Sequence, residues 1–426
     1  MKAAGLLVAI LTASGVAAAQ EFFMVGPRSL AMGRSGVASV IDASAVYTNP
    51  AALARTGFFR AAVPMLGADV FSPIDIDETT DLVDDFIEAF DDFQTSLNPA
   101  DAQRAVDAIL ALEDDLVVGA EAHGLVAFKL PIGLALSYSE RIISDVRLVI
   151  DKQNISTIVP PPGNSILNNQ SAGVGHIAWL RQIGVTYATA LPFLEENILV
   201  GVTGIGGYAT TFNEADTLIN LAAGGLDIDW RDRIKSNRES SYYLDLAVGA
   251  QVHLLDRRMV AGITATHLLS PTIKRANFDD FDLDPQVRVG LAFSPFYEEH
   301  YDLPEEGEGV ERRQGAQPVS HHRRDIRSIT NPLTFTLDLD LTRNESALED
   351  IGIESRQIGG GVEYAPVEWL AMRAGAYYNL EESDLGTTIT AGLQLSVLEI
   401  AGAFSTRNAG DLANDMRVAA GLAVTF

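Results

Sequence analysis

The sequence predicts an all-β fold: a transmembrane antiparallel β-barrel of about fourteen strands, carrying one acidic helical insertion. Three observations predict it. First, apolar and polar residues alternate strictly in run after run. Leu333, Phe335, Leu337, Leu339 and Leu341 oppose Thr334, Thr336, Asp338, Asp340 and Thr342. Tyr242, Leu244, Leu246, Val248, Ala250, Val252 and Leu254 oppose Ser241, Tyr243, Asp245, Ala247, Gly249, Gln251 and His253. Second, each run is about ten residues, the length at which a tilted strand crosses a bilayer, and the polar faces carry Asp, Arg, Gln and Gly, as a wet lumen would. Third, the connections between runs alternate between short and long, the expected asymmetry of such barrels. A soluble β-sandwich would share the alternation alone.

Composition narrows the class further. The chain has 426 residues, 47% hydrophobic, with a formal charge of −27 and no cysteine. Without cysteine there is neither a disulfide scaffold nor a thiolate metal site. Thirty Lys plus Arg against 57 Asp plus Glu argues against nucleic acid as a partner, because displacing phosphate counterions needs a basic face. A mean hydropathy of +0.13 is high for so acidic a chain. Beyond the first twenty residues no run is apolar for 18 residues, so a helical span is not expected.

In chain order, Lys2, the apolar run Ala3 to Val16 and Ala17-Ala18-Ala19 read as a signal peptide over 1–19 for Sec-type export. Residues 20–57 precede the first strand, and 58–426 form the barrel. Strands are expected at 58–70, 121–130, 133–143, 173–190, 197–212, 241–255, 258–269, 286–294, 332–343, 355–365, 368–379, 387–397, 399–406 and 414–426. Short turns such as Leu255-Asp256-Arg257 fall on the periplasmic side, whereas 71–120, 144–172, 213–240 and 270–285 are long external loops. Within 71–120, Leu82, Phe86, Phe90, Phe93 and Leu97 recur at helical spacing among acids, and Asn98-Pro99 starts a second helix. That hairpin is either a lid over the mouth or a cap on strand ends. The stretch 295–331 breaks the alternation of loop lengths and reads as a disordered periplasmic insertion. Asp245, Asp338, Asp340, Glu363 and Arg373 all fall on the lumen face, as they must, since a basic side chain at the lipid midplane costs about 2–4 kcal/mol. Met416, Val418, Ala420, Leu422, Val424 and Phe426 share one apolar face, and a terminal aromatic in that register resembles the assembly signal of bacterial outer-membrane barrels.

Two further stretches carry a family resemblance. Gly26-Pro27-Arg28 through Met32-Gly33 to Val37-Ala38, then Asp42-Ala43-Ser44-Ala45 to Asn49-Pro50-Ala51-Ala52-Leu53, resembles the entry segment of FadL-type barrels, the long-chain fatty-acid transporter-like superfamily. Leu337 to Thr342, Trp369 to Gly375 and Asn379-Leu380 are similar, more narrowly, to the conjugal transfer protein TraF-like outer-membrane family. The resemblance implies that the 20–57 segment folds inside the barrel as a hatch, with Gly33, Gly36, Asp42, Asn49 and Pro50 as its binding residues. It implies a turn fixed by Asn49-Pro50, a short helix from Ala51, and tight packing at Gly33 and Gly36. In the superfamily, movement of the hatch opens a route for hydrophobic ligands; the other reading is a plug that merely seals the pore.

No nucleophile elbow, zinc-protease motif, P-loop or dinucleotide fingerprint is present, so no enzyme, cofactor or metal site is expected. Glu298, Glu299, His300, His321 and His322 could gather a divalent ion only adventitiously. The expected location is a Gram-negative outer membrane, with lipid and lipopolysaccharide as surroundings. Two functions remain: a channel or carrier for hydrophobic small molecules, or a structural or assembly component of a cell-envelope transfer system that binds envelope proteins and transports nothing. An outer-membrane hydrolase would need a Ser–His pair on the outer face, which the register does not supply.

Overall fold

A computed structural model of the chain describes residues 26–55, 60–71, scattered positions of 85–107, 116–130, 133–149, 172–191, 197–217, 236–301, 326–330, 332–345, 354–367, 369–381, 386–406 and 416–425. The expected signal peptide and Phe426 lie outside the described residues.

Fourteen antiparallel strands close into a barrel. They are β1 (Arg60–Phe71), β2 (Leu116–Lys129), β3 (Leu134–Val149), β4 (Ala172–Ala190), β5 (Ile198–Thr217), β6 (Arg238–Leu254) and β7 (Met259–Thr266). Then follow β8 (Gln286–Phe293), β9 (Leu333–Asp340), β10 (Gln357–Val367), β11 (Leu370–Asn379), β12 (Thr387–Leu395), β13 (Leu398–Ser405) and β14 (Met416–Thr425). The seam runs from Arg60↔Thr425 to Asp69↔Arg417. Closure gives every strand two partners, which a sheet in hydrocarbon requires because an open edge would leave its N–H and C=O groups unsatisfied.

The alternation sorts as period two demands. On β6, Ser241, Tyr243, Asp245, Ala247, Gln251 and His253 are buried inside, while Tyr242, Leu244 and Val248 stand outside. On β9, Thr334, Thr336, Asp338 and Asp340 are buried, and Phe335 and Leu337 are exposed. The outside is thus apolar, with Phe128, Tyr187, Phe293, Phe335, Tyr364 and Trp369 exposed near the short turns, where aromatic girdles sit in membrane barrels. The ladder slips at both internal prolines of described barrel strands: Ala62/Met65 spans Pro64 on β1, and Tyr364/Val367 spans Pro366 on β10. Proline has no N–H to give to the ladder, so the strand bulges there.

The wall is uneven. β5 has 20 residues and β8 only 8. β2, β3, β5 and β6 outrun the expected limits by several residues at their loop ends, as in the pairs Leu116↔Leu148 and Phe212↔Arg238. Alternation fades there while pairing continues, because strand ends standing clear of lipid need ladder partners but not an apolar face.

The described residues of the acidic insertion, among them Glu88, Asp92, Ser96 and Arg104, are helical. They bond to one another, Arg104 to Asp92 and Asp101 and Ser96 to Asp101. The 295–331 stretch differs from a wholly disordered insertion: Glu298–Tyr301 pairs with Ile326–Thr330 as an antiparallel ribbon. This ribbon continues the β8–β9 hairpin past the rim, so the ladder already in register extends itself. Residues 302–325 lie outside the described residues.

Candidate functional site

The N-terminal segment lies inside the barrel. It comprises helix α1 (Pro27–Ala31), helix α2 (Ala45–Thr48) and a 3-10 turn over Pro50–Arg55. Pro27 opens α1, where a missing N–H costs nothing. Asp42 Oδ1 accepts from Ser44 N at 2.7 Å and shapes the approach to α2. Ala31, Met32, Val37, Ala43, Val46, Asn49 and Ala51 are at most 1% exposed. Against the wall near Gly26, Arg28 and Met65 the remaining void is small, about 10 Å³.

One half of the lumen, lined by β8 to β13, holds the segment by directional bonds. Arg28 grips Glu363 of β10 through Nε and Nη2, both at 2.9 Å, and donates to the Ser39 carbonyl at 2.6 Å. Arg373 of β11, directly opposite Glu363 in register, donates to the same carboxylate at 2.6 Å and reaches Gln394 and Glu399. Asp338 Oδ2 accepts from the backbone N–H groups of Gly36 (2.7 Å) and Val37 (2.9 Å). Arg288 of β8 pairs with Asp340 and donates to the Arg34 carbonyl at 3.0 Å. Thr390 of β12 both accepts from Gly33 N and donates to the Ala31 carbonyl. Burial opposes the Arg28 charge, but Glu363 outweighs it and holds that guanidinium above its ordinary range.

Glycine makes this seat possible. Gly33 has φ +68°, the left-handed region, and a Cβ on Gly359 would fall 2.0 Å from its carbonyl oxygen. A Cβ on Gly361 or Gly375 would strike the backbone of Met32 and Gly33 at 2.4–2.7 Å. The segment's backbone therefore rests directly on wall backbone.

The other half, from β1 to β6, meets the segment mainly by apolar packing, although Thr203 donates to the Val46 carbonyl at 3.0 Å. Val40, Val46, Tyr47 and Leu53 pack with Met65, Leu125, Ala127 and Ile205 of the wall. Burial pushes the Tyr47 hydroxyl above its ordinary value, and Ser139 donates to it at 2.9 Å. A second apolar cluster joins Ile143, Leu180, Ala209 and Tyr243 of β3 to β6 with Ile273, Phe281 and Leu283. Those last three belong to the loop between β7 and β8, which folds inward as a small ribbon, Thr272–Ile273 against Phe281–Asp282. Thr211 bonds the Lys274 carbonyl at 2.8 Å and holds it there. This loop, expected only as an external connection, caps an apolar strip of the lumen wall.

The expected residues divide into three groups. Gly33, Gly36, Asn49, Asp338 and Glu363 meet at the contact of segment and wall. Asn49 donates to the Val37 carbonyl (2.8 Å) and, more weakly, to β6 and β7 carbonyls, while its Oδ1 accepts from Ala51 N. Pro50 starts the 3-10 turn and lies against Gly201 and Gly249. Asp340 and Arg373 act one step back, through Arg288 and Glu363. Asp245 does not touch the segment; its Oδ2 lies 2.6 Å from His267 Nδ1, near the inward loop. Sequence reasoning gave no role to Arg28, Arg288, Gln251 or Thr390. The Gly26-Pro27-Arg28 opening of the segment's motif is the signal that would have found Arg28. Among the described residues no acid–histidine cluster could hold a metal ion; His321 and His322 lie outside them.

A closed barrel with its own N-terminal segment bound in the lumen is a plugged β-barrel. Its sequence then gives the family: the profile described as "F plasmid transfer operon, TraF, protein" matches residues 46–301, well over half the chain, and the chain belongs to that family. No curated protein sequence matches. Similar solved structures include the Ralstonia pickettii toluene transporter TbuX, 11% identical over 95% of this chain and 98% of that one, TM-score 0.46. Others are the P. putida toluene transporter TodX (11%, 95% and 97%, TM-score 0.47) and a Pseudomonas aeruginosa FadL homologue (10%, 97% and 98%, TM-score 0.44).

Proposed function

We propose that this protein is an outer-membrane channel for hydrophobic small molecules, held shut by its N-terminal segment. The observation that carries the reading is a pair of apolar patches on the inner wall: Ile143, Leu180, Ala209 and Tyr243 of β3 to β6 under the inward loop, and Leu125, Ala127 and Ile205 with Met65 of β1 against the segment. In a lumen otherwise lined with Asp, Glu, Arg and Thr, two apolar patches on one side, separated by the bonded Ser139, Gln182 and Tyr243 hydroxyl, favour a hydrophobic solute over an ion or sugar. Movement of Val46, Tyr47 and Leu53 off that side would open it while Arg28 stays bound to Glu363. The apolar exterior supports residence in a membrane, with lipid and lipopolysaccharide as surroundings, after Sec-type export.

The test is flux through full-length protein reconstituted in liposomes. An apolar aromatic solute should enter faster than into protein-free liposomes, and glucose should not. Equal entry of the aromatic solute with and without protein overturns the reading and favours the alternative, an envelope assembly component that binds proteins and carries nothing.

A further inference from the structure

We infer that the outer face of β3 to β6 holds a binding site for an acylated phosphate, a phosphate-bearing lipid whose headgroup meets Arg181 and whose chain lies in a groove beside it. The inference needs the barrel to sit in lipid, but not that it transports anything.

Arg181 points outward from β4, where the other outward residues towards the short turn are Ile183, Val185 and Tyr187. A cation there is costly, by about 2–4 kcal/mol at mid-depth and less near the interface, unless an anion meets it. Its neighbour in register on β3 is Glu140, whose carboxylate accepts from the Tyr138 hydroxyl and makes no bond to the guanidinium. The guanidinium turns the other way. It stacks over the Trp179 ring at 4.4 Å and the Tyr208 ring at 4.7 Å, and donates one hydrogen bond, to Thr210 at 3.2 Å. Among the described residues its Nε–H has no acceptor, and no carboxylate is bonded to it. Stacking fixes the plane of the fork while leaving donors free, the geometry that recognises phosphate.

Beside it the wall is bare. Gly204 and Gly206 occupy successive outward positions of β5, and a Cβ on either would touch nothing. The missing side chains leave Tyr242, Leu244 and Ile183 84%, 72% and 63% exposed, far above the ordinary lipid-facing residue here. The result is a groove of about 640 Å³ between Tyr138, Arg181, Ile183, Tyr208, Tyr242 and Leu244. That is within the size range of ligand sites and is lined by aromatic and aliphatic groups with one charge at its end. A greasy trough ending in an unpaired cation has the complementarity of a lipid phosphate. A free phosphate would gain nothing from the trough.

The experiment uses the full-length protein in detergent micelles and native mass spectrometry, with dioleoyl phosphatidic acid, dioleoylglycerol and inorganic phosphate as probes. Wild type should retain the phosphatidic acid at least ten-fold better than dioleoylglycerol, and millimolar inorganic phosphate should not displace it. Arg181→Gln should lower phosphatidic acid to the dioleoylglycerol level, and Gly206→Leu should lower both lipids. Equal retention of the two lipids by wild type, or unchanged preference in R181Q of normal heat-modifiable mobility, overturns the site. Liposome flux should be unaltered in R181Q, so failure here is distinguishable from failure of the channel reading.

Discussion

The two halves of the lumen grip the same segment by different physics. Between β8 and β13 the contacts are charged and directional: Arg28 to Glu363, Asp338 to two N–H groups, Arg288 to Asp340 and the Arg34 carbonyl. Between β1 and β6 they are mostly apolar packing around Val46, Tyr47 and Leu53. A buried ion pair has one good geometry and is costly to break, whereas an apolar face can slide a little at small loss. On the proposed channel reading, the polar side is the hinge of the segment and the greasy side is where it yields.

Substitutions can break that contrast. Glu363→Gln has the largest expected effect, because it leaves Arg28 and Arg373 buried without their shared carboxylate; breaking such a pair costs about 3–5 kcal/mol. The measurable outcome is frequent large openings in planar-bilayer recordings, and a trace as quiet as wild type would show that the polar side is not the hinge. Gly33→Val comes next, at about 3 kcal/mol, from a β-branched residue forced to positive φ and against the Ala376 and Gly360 carbonyls. Protease should then cut between 26 and 55 in the folded barrel, where wild type resists. Leu53→Ala should cost about 2–3 kcal/mol through a cavity on the greasy side and raise the flux of apolar solute without the large openings. Equal behaviour of L53A and E363Q would erase the distinction between the halves. The smallest is Asp338→Asn, about 1.5–2 kcal/mol for weakening two charge-assisted bonds. It should appear as faster amide exchange at Gly36 and Val37 and little change in flux.

Much of this was legible beforehand, for a physical reason. Lipid on one side and water on the other force an alternation that even a single strand such as Leu333–Asp340 displays without its neighbours. The same alternation placed Asp338, Glu363 and Arg373 inside. What each would bind was not legible: the Arg28–Glu363 bond joins residues 335 apart, and only strand register sets Glu363 opposite Arg373. The glycines at 359–361 announced a close approach without saying to what. The inward course of 270–285 was hidden too, because a loop that turns three apolar residues into a lumen has no periodicity to betray it.

The reach of the Arg28 bond also bears on biogenesis. Arg28, Ala31 and Gly33 are synthesised early, yet their partners Glu363 and Thr390 belong to β10 and β12, late in the chain. Until those strands exist, Arg28 lacks its counter-ion and the wall offers no glycine shelf. The first residues of the segment must therefore wait for their seat on strands far along the polypeptide. A chain truncated before β10 would leave Arg28 without its carboxylate and the segment without the backbone shelf of Gly359, Gly361 and Gly375.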